Sequence, residues 1–170
     1  GSWLSAWLHL LGAEVYGISL KKPPSVPSHY DVGEFSKFVK GRSIDIRISK
    51  KLSDCIIDIK PDFVFHLAAQ SIVKRSYEDP VETFHVNALG TLNLLEALRL
   101  LQKKCSVVLI TSDKCYNNLE WVWGYRETDS LGGKDPYSAS KGSAELVISS
   151  HLNSFFPTNG IVRIGVGRAG

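Results

Sequence analysis

Tyr137 and Lys141 stand four residues apart in a stretch, about 136–156, whose pattern is helical. Residues at that spacing share one helix face. An ammonium beside a phenol favours the phenolate, because opposite charge stabilises the charged form. A phenolate so held can take a proton from a sugar hydroxyl. By itself the pair fits a solvated helix face equally well. It gains weight from Thr111-Ser112-Asp113-Lys114, which follows the apolar run Val107-Val108-Leu109-Ile110. Open α/β sheets bind ligands beyond the carboxyl ends of their strands. A hydroxyl, a carboxylate and an ammonium at one such end form an acid/base set, or, more blandly, a capped turn. His66-Leu67-Ala68-Ala69-Gln70 ends another apolar run. Its small residues let a ligand approach the backbone, or let a helix pack tightly. Asn87 is a poor helix former inside a long helical stretch. It reads either as a bridge between backbone groups near Tyr137 or as a surface residue.

The elements that must position these residues follow from periodicity. Trp3, Leu4, Trp7, Leu8 and Leu11 recur at helical spacing and stop at Gly12. Val15-Tyr16-Gly17-Ile18 reads as a buried strand. Residues 19–33, with Pro23, Pro24 and Pro27, read as a loop. Ile44, Ile46 and Ile48 alternate as in a short strand. Lys51–Ile59 is helical and stops before Pro61. Asp62–Leu67 is a strand, about 80–101 a long helix opened by Pro80, and Val107–Ile110 a strand. Residues 113–134 form a long loop. Ile161–Val166 is the last strand. Helices alternating with continuously apolar strands predict a doubly wound parallel sheet, a Rossmann-like α/β fold covered on both faces.

Composition narrows the classes. The chain has 170 residues, 44% hydrophobic and 22% charged, which is one globular domain rather than a disordered, collagenous or disulfide-built chain. A net charge of +3 gives no basic face for nucleic acid, so none is expected. Cys55, Cys105 and Cys115 are scattered and odd in number, which predicts reduced thiols, a cytoplasmic location and no metal site. No apolar run reaches the ~18 residues of a membrane span, so no membrane partner is expected.

The segments SIDIR, DFVFHLAAQS, NALGTLNLLEA, TSDKCY and YSASK, in this order, resemble the extended short-chain dehydrogenase/reductase (NAD-dependent epimerase/dehydratase) family. Within it, TSDKCYNNLEWVWGYRETDSLGGKDPYSASKGSAEL is similar to the branch that dehydrates CDP-glucose. The distinction rests on Lys114 after Asp113, where related nucleotide-sugar dehydratases carry an Asp-Glu pair, and on EWVWGYRE. The resemblance covers essentially the whole chain. It implies that Gly1 is the last glycine of a TGxxGxxG loop whose first strand precedes it, and that a substrate domain follows Arg168-Ala169-Gly170. The whole chain, 1–170, would then be one NAD-binding domain truncated at both ends.

The resemblance also implies an activity, CDP-D-glucose to CDP-4-dehydro-6-deoxy-D-glucose, of the kind used in deoxysugar and O-antigen polysaccharide synthesis. Tyr137, held as phenolate by Lys141, deprotonates the sugar 4-hydroxyl while hydride passes from C4 to the nicotinamide. Water leaves across C5 and C6, with Asp113 as acid and Lys114 at the position of the C5 base, and hydride returns at C6. Ser112 would bond the 4-oxygen. The implied cofactor contacts are Gly1, Ser19, Asp45, Ile46, Leu67, Ala68, Ala69, Gln70, Asn87, Tyr137 and Lys141. Asp45 and Ile46 would touch adenine, and Lys141 would hold the nicotinamide ribose. NAD is the expected cofactor. Lys21 and Lys22, where NAD readers usually place an acid, keep NADP open. A homodimer or higher homo-oligomer through the two long helices is implied too. Two other readings stand beside this one. One is another nucleotide-sugar dehydratase or epimerase, although an epimerase needs no Asp113–Lys114 pair. The other is a non-catalytic nucleotide-binding module, which the intact Tyr137, Lys141 and Asp113 disfavour.

Overall fold

Short apolar runs and 3.6-residue stripes take turns along this sequence, and strands and helices follow them. The computed structural model describes residues 1–20 and 27–170. Lys21, Lys22, Pro23 and Pro24 therefore lie outside the described residues. The chain divides into two units, residues 1–45 and 46–170.

The first unit contains α1 (Ser2–Leu10), β1 (Val15–Ser19), α2 (His29–Val32), a 3-10 turn at Phe35–Lys37, and β2 (Val39–Ser43). Gly12, at φ +85°, makes the left-handed turn that ends α1, a conformation glycine adopts without steric cost. β1 and β2 are parallel, from Val15 opposite Val39 to Ser19 opposite Ser43. Their core is small: Val15, Phe35 and Val39, with Ala6, Leu8, Tyr30 and Phe38 packed against it. The stripe of α1 forms the expected helix, but Trp3, Trp7 and Leu11 of that stripe are exposed. The 19–33 segment holds α2, which Ser28 caps by accepting from the Asp31 amide at 3.1 Å.

The strand expected at Ile44–Ile48 is not there. The strand is β2, VKGRS, several residues earlier. The alternation at 44, 46 and 48 misleads because Ile46 packs onto a helix instead of lying in a pleat. A Cβ built on Gly90 would fall 2.6 Å from Ile46 Cδ1. The Ile46 carbonyl also accepts from Asn93 Nδ2 at 2.9 Å.

The second unit runs α3 (Ser49–Ile59), β3 (Phe63–His66), α4 (Val73–Glu78), α5 (Pro80–Phe84), a π turn (His85–Leu89), α6 (Gly90–Arg99), β4 (Cys105–Ser112), a 3-10 turn (Asp113–Cys115), α7 (Pro136–Phe155) and β5 (Val162–Ala169). Its three strands are parallel in the order β3-β4-β5. The pairing runs from Phe63 opposite Ser106 and from Cys105 opposite Val162 to Ser112 opposite Ala169. Leu52 and Ile56 of α3, Leu94, Leu95 and Leu98 of α6, Val107 and Leu109 of β4 and Ile148 of α7 form its buried apolar core. Each such side chain contributes about 1.5–3 kcal/mol when fully buried. The period-2 pleat turns Phe63 and Phe65 the other way, and both are exposed, so β3 is not covered on both faces. α4 was not expected from the sequence, and the long helix expected over about 80–101 is interrupted by the π turn. Parallel pairing and intervening helices agree with the doubly wound, Rossmann-like expectation. No described helix is long and apolar enough to cross a membrane.

Candidate active site

β4 ends at Ser112 with φ −147° and ψ 152°, and the chain turns at once into the 3-10 turn. The Ser112 hydroxyl makes that turn local. Its Oγ accepts from the Lys114 amide at 3.2 Å and donates to Asp113 Oδ1 at 3.0 Å. Ser112 is buried, whereas Asp113 and Lys114 are exposed. Both line a cavity of about 1000 Å³ together with Tyr116, Glu127, Lys134 and Arg168.

α7 packs against this turn. Its start is written in Asp135-Pro136. Pro136 occupies the first turn, and Asp135 Oδ1 accepts from the Ser138 amide at 3.0 Å. Burial works against the charged form of Asp135, yet the bonds from Ser138 and the nearby amides hold its carboxyl below the usual range. Gly142 lets the helix approach closely. A Cβ there would lie 3.0 Å from the Gly132 carbonyl and 3.4 Å from that of Cys115.

Tyr137 and Lys141 sit on this helix at 8% and 6% exposure. Neither the phenol nor the ammonium hydrogen-bonds another described side chain or carbonyl, yet no buried polar atom among the described residues is left unpaired. Both heads therefore keep access to solvent, and neither lines the cavity beside Asp113. Burial lowers the Lys141 pKa, and the charges of Cys115 and Glu145 push it back up.

A second polar chain reaches α7 from the end of β3. Asn87, 2% exposed, lies within the π turn. Its Oδ1 accepts from the Gln70 amide at 2.9 Å. Its Nδ2 donates to the Gln70 carbonyl at 3.0 Å and to Ser140 Oγ at 2.9 Å. Ser140 in turn donates to the Tyr137 carbonyl at 2.7 Å. Asn87 is thus a bridge between backbone groups, and the surface alternative fails. Gln70 is fixed further by donating from Nε2 to Thr83 Oγ1 at 3.0 Å. Leu67 and Ala68 are exposed beyond β3, with Ala69 half-buried.

The other candidates are placed less tellingly. Ser19 ends β1 and donates to the Leu20 carbonyl at 3.3 Å. Gly1 precedes α1, and its carbonyl accepts from the Ser5 amide at 2.9 Å. Asp45 follows β2, half-buried. Ile46 is spent in part on packing against Gly90.

Several partnerships around the site escaped the sequence reading. His66 Nε2 lies 3.0 Å from Thr91 Oγ1, which donates to the Asn87 carbonyl at 2.8 Å. The threonine proton is committed there, so His66 Nε2 carries a proton of its own. Burial, and then the charge of Lys141, push the His66 pKa down to about 4. The buried Glu145 and the half-buried Arg168, 2.8 Å apart, were also missed as a pair. The one available signal was that Glu145 continues the four-residue step of Tyr137 and Lys141. Cys115 is fully buried; desolvation, and then Glu145, raise its thiol to about 11. No cluster of three metal-ligating side chains exists among the described residues.

A helix presenting a buried tyrosine and lysine beside the carboxyl end of a parallel strand is the arrangement of a dehydrogenase/reductase-type nucleotide domain. A sequence profile for GDP-mannose 4,6 dehydratase matches residues 1–161, and the chain belongs to that family of NAD-dependent epimerases and dehydratases. CDP-glucose 4,6-dehydratase of Salmonella typhimurium is 49% identical over 169 residues, covering 99% of this chain and 47% of that protein. CDP-paratose 2-epimerase of Salmonella typhi is 32% identical, covering 73% of this chain and 40% of its own length. The solved UDP-glucose 4-epimerase of Thermus thermophilus, in complex with NAD, matches at 29% identity with a TM-score of 0.78, over 99% of this chain and 50% of that one. The chain spans about half the length of the curated relatives it matches.

Proposed function

We propose that residues 1–170 are the NAD-binding part of a cytoplasmic CDP-D-glucose 4,6-dehydratase, a hydro-lyase that yields CDP-4-dehydro-6-deoxy-D-glucose. One observation carries the reading. The Tyr137–Lys141 face and the Ser112-Asp113-Lys114 turn, on two elements packed together, occur in a chain 49% identical to CDP-glucose 4,6-dehydratase of Salmonella typhimurium. An oxidation and an elimination need two acid/base sets, and these are two.

The residues fit a dinucleotide on a structural ground. Tyr137 and Lys141 offer unpaired polar heads from a buried helix face, and Ala68 and Ala69 beyond β3 leave the backbone open. When bound, NAD supplies the acceptor and donor of hydride. Lys141 holds the nicotinamide ribose and keeps Tyr137 as the base for the sugar 4-hydroxyl. Ser112 bonds the 4-oxygen. Lys114 takes the C5 proton and Asp113 protonates the departing 6-hydroxyl. Leu67–Gln70, Asn87 and Ile46 complete the cofactor contacts within residues 46–170. Assembly as a homodimer or higher homo-oligomer belongs to the same proposal, supported by exposed Leu89 beside α6 and Leu146 on α7.

The test is incubation of the full-length protein with NAD and CDP-D-glucose, UDP-glucose or GDP-mannose. A 4-keto-6-deoxy product from the CDP sugar is expected. Interconversion of hexoses without loss of water would establish an epimerase instead.

A further inference from the structure

The polar face of α7 does not end at Lys141. Tyr137, Lys141 and Glu145 follow at four-residue steps, and Glu145 is the most buried of the three, at 5% exposure. No proton transfer assigned above uses it. Carboxylates are almost never buried unless paired, and this one is paired twice. Its Oε1 accepts from the Thr111 hydroxyl of β4, directly before Ser112. Its Oε2 accepts from Arg168 Nη2 of β5 at 2.8 Å. Thr111 and Arg168 are partners in the β4–β5 register. A single carboxylate thus ties both strands to α7 at the level where the Ser112–Lys114 turn begins.

Arg168 extends the tie into the loop. Its Nη1 donates to Tyr116 Oη at 2.8 Å and to the Glu127 carbonyl at 3.1 Å. Its guanidinium carbon lies 4.8 Å from the centre of the Tyr116 ring, which stacks on Tyr125. Tyr116 immediately follows the turn that carries Asp113 and Lys114. The turn is therefore gripped on both sides, at Thr111 and at Tyr116.

We propose that Glu145 and Arg168 are positioning residues, which through Thr111 and Tyr116 fix the Ser112–Lys114 turn against the helix face bearing Tyr137 and Lys141. The kinetic part of this inference rests on the dehydratase reading; the structural part does not. Two acid/base sets serving one sugar ring must hold a common geometry, and a misplacement of about 1 Å costs on the order of 10²-fold in rate.

The test uses the full-length protein. Glu145→Gln strands a partly buried Arg168 and risks misfolding, so milder variants decide. Thr111→Val keeps the shape and removes the hydroxyl, Thr111→Ser restores it, and Arg168→Lys keeps the charge but loses the planar fork. Thr111→Val and Arg168→Lys are expected to retain a cooperative melt and an unchanged KM, with kcat lowered roughly 10- to 100-fold. The amides of Lys114, Tyr116 and Gly132 should exchange with solvent about tenfold faster. Thr111→Ser should restore both readouts. Wild-type kcat and wild-type exchange in Thr111→Val and Arg168→Lys overturn the inference, and so does a kcat loss that Thr111→Ser does not rescue. If the wild-type protein turns over no CDP-, UDP- or GDP-hexose, the dehydratase reading is what fails. The exchange measurement then upholds or overturns the clamp without it.

Discussion

Residues 1–45 and 46–170 use the same parallel βαβ logic with unequal means. The described residues of the first unit include three buried apolar ones and an aromatic cluster, in which Phe35 lies 5.1–5.7 Å from the rings of His29, Tyr30 and Phe38. Among its described buried residues the polar one is Ser28. The second unit buries His66, Asn87, Thr91, Ser112, Ser140, Lys141 and Glu145, and its described buried polar atoms are all partnered. Burying a polar group costs about 1–3 kcal/mol unless it is bonded. Only a scaffold with a large apolar core can carry so many. The difference teaches that the candidate chemistry stands where the packing is deepest.

The sharpest way to break this contrast is by activity. Tyr137→Phe in the full-length protein is expected to lose about 10²–10⁴ in turnover with NAD binding little changed. Tyr30→Phe in the first unit should leave turnover near wild type. Steady-state rates on CDP-glucose decide it, and a near-normal Tyr137→Phe removes Tyr137 from the mechanism. Next, Asp113→Asn or Lys114→Ala should slow water loss more than oxidation at C4, by on the order of 10². Reduced nicotinamide should then accumulate in stopped flow. If both variants instead block the first hydride transfer, the division of labour between the two sets is wrong.

Stability separates the units in the same sense. Leu98→Ala, at a fully buried site, should cost about 2–5 kcal/mol. Val39→Ala should cost roughly 1.5 kcal/mol, two methyl groups of burial. Urea melts measure both, and equal costs would erase the contrast in core size. His66 sharpens it through pH. Its folded pKa of about 4 lies below the unfolded 6.5, so the unfolded chain takes up the proton first as pH falls. Stability is complete above about pH 6.5, declines as pH falls and levels near pH 4, by roughly 3 kcal/mol in all. His66→Asn should flatten that part of the acid melt relative to wild type. The smallest effects concern the caps. Asp135→Ala and Ser28→Ala should each cost about 1 kcal/mol, the same device in either unit.

Much of the site was legible because its signals are local. The helical pattern over about 136–156 announces α7, the four-residue step puts Tyr137 and Lys141 on one face, and Val107–Ile110 marks the strand before Ser112. Legibility fails where meaning depends on distant partners. Ile44, Ile46 and Ile48 alternate like a strand, yet the true β2 carries a single buried residue, Val39, and Ile46 answers to Gly90 on a helix. Arg168 and Glu145 are 23 residues apart, and only the sheet register and the lie of α7 bring them together. Asn87 looked out of place in a helix. Its π turn explains why it is tolerated, but nothing local predicts that turn.

That π turn has a consequence for how the gene can change. A π turn accommodates one more residue than the α-helical turns on either side. Thr83 before it and Thr91, Leu94, Leu95 and Leu98 after it are all buried with that extra residue in place. Losing a single codon between 85 and 89 would let the run close into plain α-helix with its two halves still in phase, because the residue lost is the one the turn absorbs. Thr83 and the leucines would keep their places, and what would go is the turn that sets Asn87 against Gln70 and Ser140. The Leu119–Gly124 segment, exposed throughout, carries no such phase relation. Length variation should therefore accumulate there, and within the helix it should be confined to the π turn, since one residue gained or lost elsewhere rotates the buried face by about 100°.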